Sequence, residues 1–304
     1  MESDYLSGQT GHSKQSRSLF TATAVPMFIV GTAVILLLII FVRASGILKR
    51  LDQNSRDILE QRVLNRKDYL QNNMVNEWSD LNVLSNKINE ATTELLNEGV
   101  IDWETLDDTA DAPSPILLAV AEDLVAELRA KRTSGIFVIF NTESLSGMEE
   151  GISSAKPGIY IRDPDPMSYA SIRNEDLAVK YASTTMTRRM NIAMNGLWQP
   201  VFSFDKEGDA RATEFLLRSY QTAYEQDGVK NAQDFGFWGL APFGDTPSTP
   251  YTVSYTVPLI LENGAVYGVL GVDLTQEYLQ DLLPYNELTQ SGSGAYLLVM
   301  SDVP

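Results

Sequence analysis

The chain of 304 residues contains no cysteine and only one histidine. Without cysteine it can form no disulfide bridge, thiolate metal site or cysteine nucleophile. The single histidine, His12, lies in a polar N-terminal tail, so the rest of the chain has no imidazole for a zinc site or a serine–histidine–aspartate triad. These two shortages exclude many hydrolase mechanisms.

Basic residues are scarce as well. The chain has 23 lysines and arginines against 40 aspartates and glutamates, which gives a formal net charge of −17. Residues 1–18 carry two charges of each sign and residues 19–42 carry none, so the whole excess falls in 43–304. A nucleic-acid-binding domain is expected to present a basic face, so we expect no nucleic-acid partner. The acidity itself favours solubility.

One apolar run stands out near the start of the chain. Leu19 to Val42 is 24 residues long and uncharged, enough to cross a bilayer core of ~30 Å at about 1.5 Å per residue. A cleaved signal peptide is the alternative, but its apolar region is usually only about 7–15 residues, and no clear cleavage site follows here. We therefore predict a transmembrane helix over 19–42, with a disordered cytoplasmic tail over 1–18 and an extracytoplasmic body from 43 onwards, at the plasma membrane.

A long helix is predicted to follow the membrane segment. Between Ala44 and Asn97 there is no proline, and apolar residues recur at spacings of three and four, as in a helix with one buried face. The recurring positions are Leu70, Met74, Trp78, Leu81, Leu84, Ile88, Ala91 and Leu95. We predict a stalk helix over 43–98, or alternatively two helices broken near Asn72–Asn73. The same spacing resembles a coiled-coil seam, which favours a homodimer unless the seam packs within the chain.

The region 99–285 is predicted to be an α+β domain. Helical spacing appears over 116–131 and 211–226, while 174–195 has a helical or mixed pattern. Strand patterns occupy 135–140, 158–162, 237–243, 251–261 and 265–274, and a short helix is predicted over 276–283. Asn263-Gly264 predicts a two-residue hairpin turn. A further strand starts at Ala295, so we predict that residues 286–304 begin a second, truncated module.

The segment from Tyr251 to Asp273 carries a resemblance to a known family. It reads Tyr251-Thr-Val-Ser-Tyr-Thr-Val-Pro-Leu259, then Asn263-Gly264, then Tyr267-Gly-Val-Leu-Gly-Val-Asp273. Placed after a membrane segment and a long helix, this resembles the double Cache (dCache) extracytoplasmic sensor domain of bacterial transmembrane receptors. The resemblance implies a long helix that supports two stacked PAS-like modules, each an antiparallel sheet flanked by helices. It also implies an output region, such as a histidine kinase, diguanylate cyclase or chemoreceptor module, which this chain lacks.

The resemblance further implies a ligand pocket. In amino-acid-binding members, a helix motif supplies an arginine and two aromatics, and here Arg218 and Tyr220 match it while Gln221 replaces the second aromatic. Asp273 takes the place of the aspartate that accepts hydrogen bonds from a ligand ammonium group, opposite the arginine that binds the carboxylate. Further candidates are the strand pair Phe243 and Asp245, and the aromatic residues Trp198, Phe237, Trp238, Tyr251 and Tyr255, of which we single out Trp238 and Tyr255. No cofactor and no metal ion are implied.

Each of these residues also has an ordinary structural interpretation. Arg218 fits a solvated helix charge, Asp273 fits a cap of the helix that follows at Thr275, and Asp245 fits a turn residue. The aromatic residues fit a hydrophobic core.

Three functions remain open at this point. The first is the sensor region of a membrane receptor that binds an amino acid or a small carboxylate or amine. The second is a membrane-anchored coiled-coil interaction protein without a ligand. The third is an anchored extracellular enzyme that uses acid pairs such as Asp163–Asp165 or Glu149–Glu150, although nothing supplies an activated nucleophile. We predict the first, and with it no catalytic residue in this chain.

Overall fold

The computed structural model of the chain describes residues 19–142, 155–168, 171, 173–203, 211–226, 231–283 and 296. The chain divides into two compact units, Met1–Leu64 and Asn65–Pro304. The predicted tail over 1–18 lies outside the described residues, and so does the predicted second module over 286–304 except for one residue.

Helix α1, Leu19–Ala44, contains the apolar run. Its segment Ala22–Ala44 has a mean hydropathy of 2.9, none of it is buried, and it is long and apolar enough to cross a membrane. A signal sequence near an N-terminus meets the same criteria. The hydroxyl of Thr32 donates to the carbonyl of Phe28, 2.7 Å away, so this polar group is satisfied inside the helix. The predicted apolar helix is therefore confirmed.

The prediction of a single stalk helix over 43–98 is wrong, because the helix is interrupted. Helix α2 spans Ile47–Asn72, a π-helix continues it over Asn73–Trp78, and helix α3 starts only at Asn82 and ends at Asn97. The chain leaves the helix after Trp78 because that side chain is held elsewhere: its indole Nε1 donates to the carbonyl of Lys131, 3.1 Å away. Such a long-range contact is invisible in the apolar spacing.

The seam of α3 packs within the chain. Leu84 and Ile88 are fully buried in the hydrophobic core, and the Tyr267 hydroxyl donates to Asn89 Oδ1 at 2.7 Å. This buried face of α3 is therefore withdrawn from pairing with a second copy. The homodimer stays a prediction.

The helix predicted over 116–131 is two helices, α4 (Ser114–Ala119) and α5 (Ala121–Lys131).

A seven-stranded sheet forms the body of the second unit. Its strands are β1 (Gly135–Phe140), β3 (Gly158–Arg162), β4 (Ala178–Tyr181), β5 (Ala193–Gln199), β7 (Phe237–Ala241), β8 (Thr252–Ile260) and β9 (Val266–Leu274). Their spatial order is β5-β4-β3-β1-β9-β8-β7, and a separate pair joins β2 (Ala155–Lys156) to β6 (Phe202–Ser203). The predicted α+β class is confirmed.

The sheet is mixed, whereas the family resemblance implied an antiparallel one. Strands β4 and β5 pair in parallel, and every other neighbouring pair in the seven-stranded sheet is antiparallel. The parallel pair arises because helix α6, Thr184–Met190, connects the two strands as a crossover. The ambiguous pattern over 174–195 thus resolves into strand, helix and strand.

The hairpin between β8 and β9 has a longer connection than predicted. Residues 261–265 join the strands, and the Leu261 N–H donates to the carbonyl of Ala265 at 2.9 Å. Gly264 has a φ of +84°, which a residue with a side chain rarely adopts. The turn predicted at this glycine is confirmed, but its predicted length of two residues is wrong.

Two cores lie on opposite faces of the sheet. Helices α3, α4 and α5 contribute to the first core, together with Leu270 and Val272 of β9. Helix α7, Arg211–Glu225, contributes Phe215 and Tyr220 to the second core. Helix α8, Gln276–Leu282, follows β9. Because side chains alternate along a strand, Asp273 shares the second face with the α7 core.

Candidate ligand site

Asp273 lies near the end of β9 and is completely buried. The Tyr160 hydroxyl donates to its Oδ2 at 2.7 Å. Its other oxygen, Oδ1, is also buried but has no hydrogen-bond partner among the described residues. A Cβ atom placed on the neighbouring Gly135 would lie only 2.1 Å from this oxygen, so the glycine makes room for the carboxylate. The carboxylate is thus held in place, and one of its oxygens receives no hydrogen bond within the part of the chain that the structure describes, although the nearby Thr252 hydroxyl also acts to lower its pKa.

Burial governs the ionisation of Asp273 and Tyr160. It raises the pKa of the Asp273 carboxyl, while the charge of Arg162, the hydroxyls of Tyr160 and Thr252, and the charge of Lys180 act in the opposite direction. The same burial, together with the Asp273 charge, raises the pKa of the Tyr160 hydroxyl well above its usual value. Tyr160 therefore keeps its proton at neutral pH and remains a hydrogen-bond donor.

Two buried cations lie on the neighbouring strands. Arg162 ends β3 on the same face as Tyr160, since the two residues are two positions apart, and only 8 % of its side chain is exposed. Lys180 in β4 is 4 % exposed, and its Nζ donates to the carbonyl of Phe243 at 2.7 Å and to that of Gly244 at 3.1 Å. Burial and the nearby Arg162 charge lower the pKa of Lys180 to about 8.

Both cations share one carboxylate. Asp245, in the loop 242–251 between β7 and β8, accepts from Arg162 Nη1 through Oδ2 and from Lys180 Nζ through Oδ1, the latter at 3.2 Å. Its side chain is 44 % exposed, in contrast to the two cations. The Nε atom of Arg162 is buried and has no partner among the described residues. Oδ1 of Asp273 and Nε of Arg162 are thus buried polar atoms at this end of the sheet that lack a hydrogen-bond partner among the residues that the structure describes.

An aromatic cluster borders these charges. The ring of Phe243 lies 4.7 Å from that of Tyr160, 5.1 Å from that of Phe137 and 5.3 Å from that of Phe215. Phe243 itself is buried, so it belongs to the second core. The cluster fixes the ring of Tyr160, and through its hydroxyl the orientation of Asp273.

The structure does not bring Arg218 together with Asp273. The Arg218 side chain is 50 % exposed, and its Nη1 donates to Glu214 Oε1 at 3.1 Å, one helical turn away. Its guanidinium lies 4.6 Å from the ring centre of Phe237. These contacts fit the alternative interpretation, a solvated helix charge.

Tyr220 is a core residue in the structure. It is buried, and its hydroxyl donates to the carbonyls of Asn141 at 3.0 Å and Val266 at 3.3 Å. Trp238 and Tyr255 belong to the core on the face opposite Asp273, with their ring centres 5.1 Å apart. The Tyr255 hydroxyl donates to Gln233 Oε1 at 3.0 Å. Of the seven predicted site residues, Asp273, Asp245 and Phe243 lie at one end of the sheet, where Tyr160 and Lys180 link them.

The structure also bears on the helix cap predicted for Asp273 and on the acid pairs predicted for an enzyme. Thr275 caps the helix after β9, because its hydroxyl accepts from the Tyr278 N–H at 3.2 Å, so the cap is not Asp273. Asp163 accepts from the backbone N–H of Asp165 at 3.0 Å, which is a turn. The other acid pair, Glu149–Glu150, lies outside the described residues.

Tyr160, Arg162 and Lys180 were missed by sequence reasoning. The strand predicted over 158–162 reads Gly-Ile-Tyr-Ile-Arg, and an arginine that ends such an apolar run is unusual in a fold's interior, so Arg162 did carry a signal. Lys180 lay in a segment whose pattern did not distinguish helix from strand.

Comparison of the chain with protein-family models and with curated proteins finds no match. The geometry at Asp273 is therefore what supports a function.

Proposed function

We propose that this chain is the extracytoplasmic sensor region of a membrane receptor and that it binds a small polar molecule at Asp273. The observation that carries this proposal is the buried Asp273 carboxylate, whose Oδ1 has no hydrogen-bond partner among the described residues. An unsatisfied buried acceptor costs about 1–3 kcal/mol. A ligand that donates a hydrogen bond to it recovers that cost on binding.

The charges around Asp273 favour a ligand such as an amino acid, a small carboxylate or an amine. An ammonium or hydroxyl group of the ligand donates to Asp273 Oδ1. A carboxylate is attracted by Arg162, whose planar guanidinium matches two carboxylate oxygens. Arg162 thus takes the part that the family resemblance gave to Arg218. The aromatic cluster around Phe243 supplies apolar surface beside these polar groups.

Two further features support a membrane receptor. Helix α1 is long and apolar enough to cross a membrane. The segment Tyr251–Asp273 resembles the Cache sensor domains of receptors, and its last residue is the one at the centre of the site. Together these two features support the proposal that the chain senses a ligand at this site and transmits the signal across the membrane.

A thermal-shift screen of the full chain in lipid nanodiscs tests the proposal. The screen uses the twenty amino acids, small mono- and dicarboxylates and small amines, each added separately. A ligand that binds only the folded state stabilises it by about 2.7 kcal/mol at a hundredfold excess over Kd, so a true ligand gives a measurable rise in Tm.

Two variants locate the site. Asp273→Asn keeps the shape but removes the charge, and it should abolish the shift because a charge-assisted contact contributes about 1.5–3 kcal/mol. Arg218→Ala is the matched control and should leave the shift unchanged, since its described partners are Glu214 and Phe237. A panel without any hit, or a hit that Asp273→Asn leaves intact, contradicts the proposal.

A further inference from the structure

The two partners in each ion pair at the site differ in burial. Arg162 and Lys180 are more than nine-tenths buried, whereas the carboxylate that both contact, Asp245, is nearly half exposed. Among the described residues no other carboxylate forms an ion pair with either cation. One loop residue therefore provides the direct counterion for two side chains that the sheet holds in place.

The three charges differ in how easily they can move. Arg162 and Lys180 extend from β3 and β4, whose backbones are fixed by sheet pairing. Asp245 lies in a loop and already contacts solvent, so it can turn outward and be hydrated at little cost. The buried cations cannot be left unpaired so easily, because an uncompensated buried charge is strongly destabilising. The buried Asp273 carboxylate acts on both cations at longer range but forms no ion pair with them, so the departure of Asp245 is favoured when another anion takes its place.

We propose that Arg162 and Lys180 form an anion site that Asp245 occupies as an internal competitor, and that the carboxylate of a small ligand displaces Asp245 from it. This rests on the proposed sensor function for its biological ligand, but the anion site itself is a separate claim. The chemical class is a small carboxylate because the group already seated there is one. The free Nε of Arg162 offers the incoming carboxylate a hydrogen bond that Asp245 leaves unused.

Displacement is coupled to the loop 242–251. Lys180 holds the carbonyls of Phe243 and Gly244 as well as Asp245, so a ligand that draws Lys180 towards itself weakens all three contacts. The loop is internally compact: the Gly244 N–H donates to the carbonyl of Pro250 at 3.1 Å, and a Cβ on Gly244 would lie 1.8 Å from the carbonyl oxygen of Thr249. Loss of the Lys180 contacts therefore loosens residues 243–245 from the sheet.

Chemical rescue tests the anion site. The full chain with Asp245→Ala is titrated with sodium acetate in nanodiscs, and sodium chloride at equal ionic strength serves as the reference. The variant should melt below the wild type, and acetate but not chloride should restore its Tm. Its acetate affinity should be about 10- to 150-fold tighter than that of the wild type, because one charge-assisted contact is no longer contested.

Two control variants make the result specific. The double variant Arg162→Met/Asp245→Ala should lose the acetate response, since it lacks the guanidinium. Glu214→Ala leaves Arg218 without its exposed partner and should show no acetate-specific shift, because that arginine is half hydrated. Equal effects of acetate and chloride on Asp245→Ala, or rescue that survives in the double variant, would overturn the anion site.

Hydrogen exchange on the wild type tests the displacement and does not depend on any variant folding. Acetate should accelerate exchange of the loop amides, which belong to residues 243–246, 248 and 249, while leaving strand β1 unchanged, and an unchanged loop would refute displacement. The two proposals fail separately. A panel ligand that needs Asp273 but binds Asp245→Ala no more tightly than wild type leaves the sensor intact and refutes the competitor. Acetate rescue without any panel ligand supports the anion site and contradicts the sensor.

Discussion

Replacing Gly135 by alanine is the sharpest steric test of the site. The added Cβ would lie 2.1 Å from Asp273 Oδ1 and 2.5 Å from Tyr160 Cε2, well inside van der Waals contact. Neither neighbour can withdraw freely. The Tyr160 ring is packed against Phe243 at 4.7 Å, and Asp273 lies in a strand paired on both sides. The substitution must therefore displace part of the site.

The size of the effect follows from two opposing contributions. Forcing an extra methyl group into a packed interior costs about 1–3 kcal/mol. Alanine also lowers the entropy of the unfolded chain, which returns about 0.4–1 kcal/mol. The free energy of unfolding should therefore fall by up to about 2.6 kcal/mol, which for a domain of this size corresponds to a Tm lower by up to about 10 °C.

A second glycine in the same sheet provides the matched control. Gly196, in β5, has no atom within 4 Å of an added Cβ, so Gly196→Ala experiences only the effect on the unfolded chain. Its Tm should stay level or rise by about 1–4 °C. Circular dichroism melts of both variants in the full chain make the comparison. If Gly135→Ala melts at or above the temperature of Gly196→Ala, the close contact between Gly135 and Asp273 is wrong.

Three further variants test parts of the fold around the site. Thr275→Ala removes the cap of α8 and should lower the free energy of unfolding by about 1 kcal/mol in denaturant titrations, whereas Thr275→Ser should not. Tyr267→Phe removes the hydroxyl that donates to Asn89 and should also cost about 1 kcal/mol; an unchanged stability would contradict that hydrogen bond. Arg129 lowers the pKa of Asp176 from 3.8 to about 2, so the pair stabilises the fold above pH 3.8 and loses this effect as the pH falls towards 2. Asp176→Asn should therefore be less stable than wild type by about 1–2 kcal/mol at pH 7 and equal to it near pH 2; a constant difference would refute the linkage.

Local patterns predicted the centre of the sheet well. Strands β8 and β9 follow from dense β-branched residues with a turn signal between them, and β1 and β3 from short buried runs. Such features depend on neighbours in sequence, so the sequence displays them. The break after Trp78 and the parallel pairing of β5 depend on contacts between distant residues, and no local pattern encodes them.

The misplaced arginine has a geometric cause. The sequence predicts a buried face of the helix 211–226 that carries Leu217 and Tyr220, and such a face would place Arg218 over the sheet. In the structure the buried face carries Phe215, Leu216, Ser219 and Tyr220, while Leu217 is only half-buried and Arg218 is exposed. At about 3.6 residues per turn, one position corresponds to about 100° of rotation. An error of one residue in the choice of the buried face therefore moved the arginine from the sheet to solvent.

A comparison of two carboxylates, Asp107 and Asp273, shows why the unpaired polar atoms of the site matter. The buried pair Lys156–Asp107, 3.0 Å apart, is completed by Thr142, whose hydroxyl and N–H donate to the Asp107 carboxylate at 2.6 and 3.2 Å. That carboxylate uses both of its oxygens, and the pair needs nothing further to serve as a structural tie. Asp273 is more deeply buried, yet one of its oxygens has no described hydrogen-bond partner. Stability alone would favour a hydrogen-bond donor for this oxygen, since an unsatisfied buried polar group is costly. The difference between the two carboxylates is what a site that awaits a ligand should look like.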